Sequence, residues 1–226
     1  MSQPSPLSFR SAPSLSPPPF RTDAFAVLTY VSLALLSPHD PTPFLAQAAT
    51  LVSAVHATLG APRGDEPPSS RPPASTFPAG GLRIGKLAPP GTPDGDGQYL
   101  HYTLKWVHAL CGLARATGVK GWADDAVALV RATHPRFTLT TPTGRRRFYW
   151  KALPDLSGPA PGGGGEGGLD AFGAVVAYAW AASTAVALGG AGGGGGGEAA
   201  GRGPSSPPPL AAEVEEAASI AARVAA

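Results

Sequence analysis

Proline and glycine are clustered along this chain, and the clusters leave apolar blocks of helical length between them. This punctuation constrains the fold more than any single motif. Proline lacks a backbone donor and clashes with the preceding helical turn, and glycine loses the most backbone freedom on ordering. Each cluster therefore ends one element, and each apolar block forms its own. With 30 glycines and 27 prolines the two types make up about a quarter of the chain, at the edge of the low-complexity range. Their clustering points to folded blocks joined by loose tracts.

The blocks read as helices. Residues 23–36 form the first, with Asp23 as N-cap and Pro38 as stop. Residues 43–59 form the second, with proline at the start and Gly60 past the end. The short connection between them predicts an antiparallel hairpin. Residues 61–80 are loop, 80–86 a short strand or ordered turn, and 87–97 loop again. Residues 98–117 form the third helix, closed by Gly118, and 122–134 the fourth, stopped by Pro135. Residues 137–141 and 146–150 read as short strands around a turn. Residues 159–168 are glycine-rich. Residues 170–188 form a fifth helix capped by Asp170, and 210–224 an alanine-rich sixth. The expected division is a disordered tail over 1–22, a helical-hairpin domain over 23–188, a low-complexity linker over 189–209 and a C-terminal helix within 210–226. The fold class is all-α.

Charge and cysteine usage narrow the partners. Charged residues are 14% of the chain and the formal net charge is +2, so no strong field draws it to nucleic acid or to an anionic membrane. The single cysteine, Cys111, excludes an intrachain disulfide framework and a cysteine-rich zinc site. No cofactor or metal is expected. The first 22 residues are rich in Ser and Pro, carry Arg10 and Arg21, and contain no acid. They weakly resemble an organelle transit peptide, so the expected location is cytoplasmic or organellar. The fifth helix is apolar enough for a membrane check, but its Ala and Gly content reads as a buried core helix.

The densest chemistry lies in residues 94–110, DGDGQYLHYTLKWVHAL. Asp94 and Asp96 stand just before the third helix, where carboxylates cap free N–H groups. Paired carboxylates are also what glycosidic bond cleavage uses, one as acid and one as base or nucleophile. A calcium loop lacks the required ligand spacing. Along the helix Tyr99, Tyr102 and Trp106 form one stripe, and His101, Lys105 and His108 a narrower polar one. The second dense stretch is residues 144–159, GRRRFYWKALPDLSGP. Arg145, Arg146 and Arg147 suit carboxylates or phosphates, and Tyr149 and Trp150 suit stacking on a sugar ring. One RRR run is too narrow for a nucleic-acid patch.

The segments GGLRIGK, DGDGQYLHYTLKWVHAL and GRRRFYWKALPDLSGP, in this order between helical hairpins, resemble an uncharacterised six-hairpin glycosidase-like family. The resemblance implies an α/α toroid, partial here, with a funnel of acids and aromatics at loops and helix starts. It implies a carbohydrate partner and glycoside hydrolase-like chemistry, or an inactive relic of it. Asp94 and Asp96 would do acid/base work. Arg83, Lys86, Tyr99, His101, Tyr102, Lys105, Trp106, Arg146, Tyr149, Trp150 and Asp170 would bind the saccharide. The chain departs from the family pattern after Asp-Leu-Ser, where a Met-Gly-Gln-His-Asp type segment gives way to the glycine tract at 159–168. Leu169 and Asp170 are its remnant. Six hairpins of about 11–12 residues per helix need more chain than this, so a fragment or a decayed copy is expected. The alternative is a non-catalytic helical binding or scaffold protein.

Overall fold

The structure, a computed structural model, describes residues 20–64, 75–92, 94–189 and 208–225. Of the expected disordered tail over 1–22, residues 20–22 instead open the first helix; the rest, the middle of the 61–80 loop and most of the 189–209 linker lie outside the described residues. Among the described residues the chain is mostly helical. Six helices form: α1 Phe20–Leu36, α2 Thr42–Leu59, α3 Leu100–Thr117, α4 Lys120–Phe137, α5 Asp170–Gly189 and α6 Ala211–Val224. Four short strands accompany them: β1 Gln98–Tyr99, β2 Thr138–Thr140, β3 Arg146–Phe148 and β4 Lys151–Ala152.

The helices pack in two rows. α1, α3 and α5 lie side by side, with α3 in the middle. Behind them α2 packs on α1, α4 on α3 and α5, and α6 on α5. The central position of α3 explains its composition. Neighbours on several sides bury Leu104, Trp106, Val107, Leu110, Cys111 and Leu113, leaving one narrow polar stripe. Burying each such leucine contributes about 1.5–3 kcal/mol. Gly112 lies against Leu28 of α1, and Gly173 of α5 lies against Leu104, so small residues let the row close up.

Several boundaries differ from expectation. α1 begins at Phe20, which puts Asp23 in its first turn rather than at the cap. Gln98 and Tyr99 form β1 rather than the start of a helix, because they pair antiparallel with Ala152 and Lys151 of β4. The expected strand over 146–150 is broken: β3 pairs with β2, and the chain then turns at Trp150 to pair with β1. Residues 80–86 are ordered without being a strand. Pro135 does not stop α4, which runs on to Phe137. In the last turn a missing N–H costs a single hydrogen bond, and the buried Phe137 ring holds the extra residues in place. Asp170 is the first residue of α5, its own N–H donating to Gly167 O at 3.1 Å. α5 is the one helix among the described residues long and apolar enough to cross a membrane, yet it packs on α3, α4 and α6.

Candidate functional site

The two-residue ladder between β1 and β4 brings the two dense sequence segments together. Trp150 O accepts from Leu100 N at 3.1 Å, which seats the Trp150 loop on the first turn of α3. Around this joint four partly buried aromatic rings cluster. Tyr99 lies 5.2 Å from Trp150, 5.0 Å from Tyr102 and 5.5 Å from His101 by ring centroids, and His101 lies 4.5 Å from Tyr102. Edge-on and offset contacts of this kind hold rings in fixed orientations.

Charged groups rim the cluster. Lys86 Nζ donates to Asp94 Oδ1 at 3.0 Å, with Asp94 almost fully exposed. That bond, helped by Tyr99, raises the Lys86 pKa. Lys151 lies beneath, fully buried. Its Nζ donates to Gly95 O at 3.1 Å and stands 5.7 Å over the Tyr99 ring. Burial lowers its pKa, with Lys86 adding and the Asp94 and Asp96 charges opposing. Sequence reading left Lys151 out, because a lysine after Tyr-Trp in a basic stretch looks exposed. On the α5 side Asp170 is buried against Gly167, and its Oδ2 has no hydrogen-bond partner. Burial raises the Asp170 pKa, and nearby Lys105 partly offsets this.

The two expected catalytic carboxylates stand in opposite surroundings. Asp96 is fully buried and saturated. Its Oδ2 accepts from Arg83 Nη1 at 2.6 Å, and its Oδ1 accepts from the N–H groups of Gly85, Lys86 and Gly97 at 3.0–3.2 Å. Arg83 in turn donates to Ala61 O and Thr58 O. This pair ties the 80–97 loop to the end of α2; Asp96 has no exposed face, and Arg83 borders a separate cavity rather than the aromatic cluster. Asp94 alone reaches solvent at the aromatic cluster, so the paired geometry that glycosidic cleavage needs is not formed by these two residues.

Three further expected residues leave the cluster. Trp106 is fully buried on the α2 side, where its Nε1 donates to His56 Nε2 at 3.0 Å and His56 stacks on Phe77. Tyr149 is also fully buried, packed 5.4 Å from Phe137, with its hydroxyl donating to Arg136 O. Both are core residues. Arg146 lies on the surface, 2.9 Å from Glu216 of α6. The cluster therefore gathers Lys86, Asp94, Tyr99, His101, Tyr102 and Trp150, with Lys105 and Asp170 to one side.

A cavity of about 520 Å³ lies beside the Arg83 anchor, lined by Leu59, Pro62, Arg63, Pro90 and Pro154 among others. Of the expected site residues only Arg83 reaches it. Among the described residues no group of three or more His, Cys, Asp or Glu side chains forms a metal cage. No family model matches the chain, and neither a curated protein nor a solved structure does.

Proposed function

We propose that this chain binds a saccharide at the aromatic cluster, as a glycosidase-like carbohydrate-active protein that holds sugar without cleaving it. One observation carries the reading: Tyr99, His101, Tyr102 and Trp150 meet as partly buried rings next to a charged rim of Lys86 and Asp94. Ring faces take the apolar C–H side of a sugar, and the rim supplies hydrogen bonds to its hydroxyls. The burial of Asp96 argues for binding over hydrolysis. The side-by-side row α1, α3, α5 with its second row behind is what successive hairpins of a partial α/α toroid would contribute, and the cluster sits at the helix starts where such a fold carries its site.

The test is a glycan array probed with the full chain, followed by calorimetry on any hit. Trp150→Ala should weaken binding by about tenfold or more, the loss expected of a stacking anchor. Incubation with the bound glycan should release no reducing ends. An array with no hit overturns the proposal, and turnover abolished by Asp94→Asn overturns its non-catalytic half.

A further inference from the structure

The face shared by α1, α3 and α5 carries a second pattern, which adjoins the sugar-binding cluster at His101 and runs away from it along α3. Its middle is basic. His101, Lys105, His108, Gly112 and Arg115 recur at steps of four and three along α3 and form the one stripe of that helix left partly exposed. Neighbouring contacts fix where this stripe lies. Gly112 abuts Leu28 of α1, and Arg115 lies 4.8 Å over the Trp180 ring of α5. The stripe is therefore the floor between the two flanking helices.

Both flanks carry exposed apolar side chains. α1 exposes Phe25 and Leu36 at the two ends of a line whose middle holds the exposed Thr29 and Ser32, and α5 exposes Phe172, Val176 and Val186, with Val176 58% exposed. No single isolated apolar residue would need explaining, but exposed apolar residues on both sides of a cationic stripe form a pattern. Packed helices stand about 8–10 Å apart, so α1 and α5 are about 16–20 Å apart across α3. One helix, about 10 Å across, fits between them.

We propose that this face docks an amphipathic helix of a partner protein, one that directs carboxylates at Lys105 and Arg115 and apolar side chains at the two flanks. Charge complementarity selects this occupant. A second copy would set Lys105 and Arg115 against the same cations across a two-fold axis. A lipid surface takes the opposite arrangement, with apolar residues at the centre and cations at the rim. Lys105 and Arg115 are separated by about 15 Å at 1.5 Å rise per residue, so the partner's acids stand about three helical turns apart.

The experiment uses the full chain and a fluorescent helical peptide with two Glu about eleven residues apart on one stripe, flanked by Leu and Phe. A twin peptide carries Lys in place of Glu. Fluorescence anisotropy should show saturable binding of the acidic peptide and none of its twin. The double variant Lys105→Glu, Arg115→Glu should lose the acidic peptide by about tenfold or more and gain the lysine twin. Lys105→Gln with Arg115→Gln, which leaves the fold's charge balance milder, should bind neither tightly. Equal binding of both peptides, or of neither, overturns the proposal. So does a wild-type preference for phosphatidylserine vesicles over the peptide, and so does a dimer that Val176→Asp dissociates.

Discussion

Arg83 Nη1 and Asp96 Oδ2 meet at 2.6 Å inside the protein, and this pair fixes the loop that carries Lys86 and Asp94 beside the aromatic cluster. Asp96 also accepts three backbone N–H groups, so its carboxylate organises the loop by itself. Removing one member of a buried ion pair leaves the other charged and unpaired, which costs about 3–5 kcal/mol. Asp96→Asn should therefore lower the urea midpoint of the whole chain, and Arg83→Met should do the same. Chemical denaturation followed by circular dichroism measures both. Wild-type stability in Asp96→Asn, with loss of sugar binding alone, would return Asp96 to the site.

Gln98 does for β1 what Asp96 does for the loop. Its Oε1 accepts from Leu82 N at 2.8 Å, and its Nε2 donates to Gly80 O and Pro154 O, both at 2.7 Å. Gly81 lies directly against that amide with a φ of +68°, where a Cβ would sit 2.1 Å from Oε1. Gly81→Ala meets a backbone penalty and a clash with a side chain that is fully committed. About 2 kcal/mol or more of destabilisation is expected from the strain and the broken bonds together. Gln98→Ala should lose a similar amount through three unpaired backbone groups. Thermal melts of the two single variants and their combination should show them non-additive, since both act on one network.

The helices were legible because breakers and apolar runs are local signals. Gly60 and Gly118 close α2 and α3 where they were expected to. The site was legible only in part, and the reason is distance along the chain. Tyr102 and Trp106 lie on the same stripe of α3, four residues apart, and nothing local separates them. Trp106 goes to the core because His56, fifty residues earlier, offers it an acceptor. Asp96 looks like an active-site acid until Arg83 is placed against it. Lys151 looks like a surface charge until β4 pairs with β1 and carries it inside.

Two buried titrating groups oppose each other in acid. His56 accepts from Trp106 at Nε2, and burial lowers its pKa to about 4, with Asp125 too far at 4.0 Å from Nδ1 to reverse this. The unfolded chain takes up that proton near pH 6.5, so the His56 contribution to stability falls as pH drops from 6.5 to 4. Asp23 in α1 is raised by burial to about 6. Its contribution is complete below pH 3.8 and is lost as pH rises through 6. Between pH 4 and 6 the two slopes nearly cancel, each amounting to about 2–3 kcal/mol over its range. Asp23→Asn removes one slope, so that variant should become steadily less stable from pH 6.5 to pH 4. Urea unfolding of wild type and variant at half-unit pH steps measures it, and parallel curves would refute the assignment.

Glu216 holds α6 to the rest of the protein through two side chains from different elements. His134 Nε2 of α4 lies 3.1 Å from its Oε2, and Arg146 Nη2 of β3 lies 2.9 Å from its Oε1, close but poorly aligned for a hydrogen bond. Arg223 adds a bond from the helix back to Arg146 O at 3.0 Å. The apolar part of this contact is thin, resting on Ala217, Ile220 and Ala221. Glu216→Ala should cost about 1–2 kcal/mol, the range for a charge-assisted bond at a partly exposed site. The loss should be local: amides of α6 exchange faster while those of α3 keep their protection. Hydrogen exchange resolved by peptide distinguishes this from global loosening, which would speed both helices by the same factor.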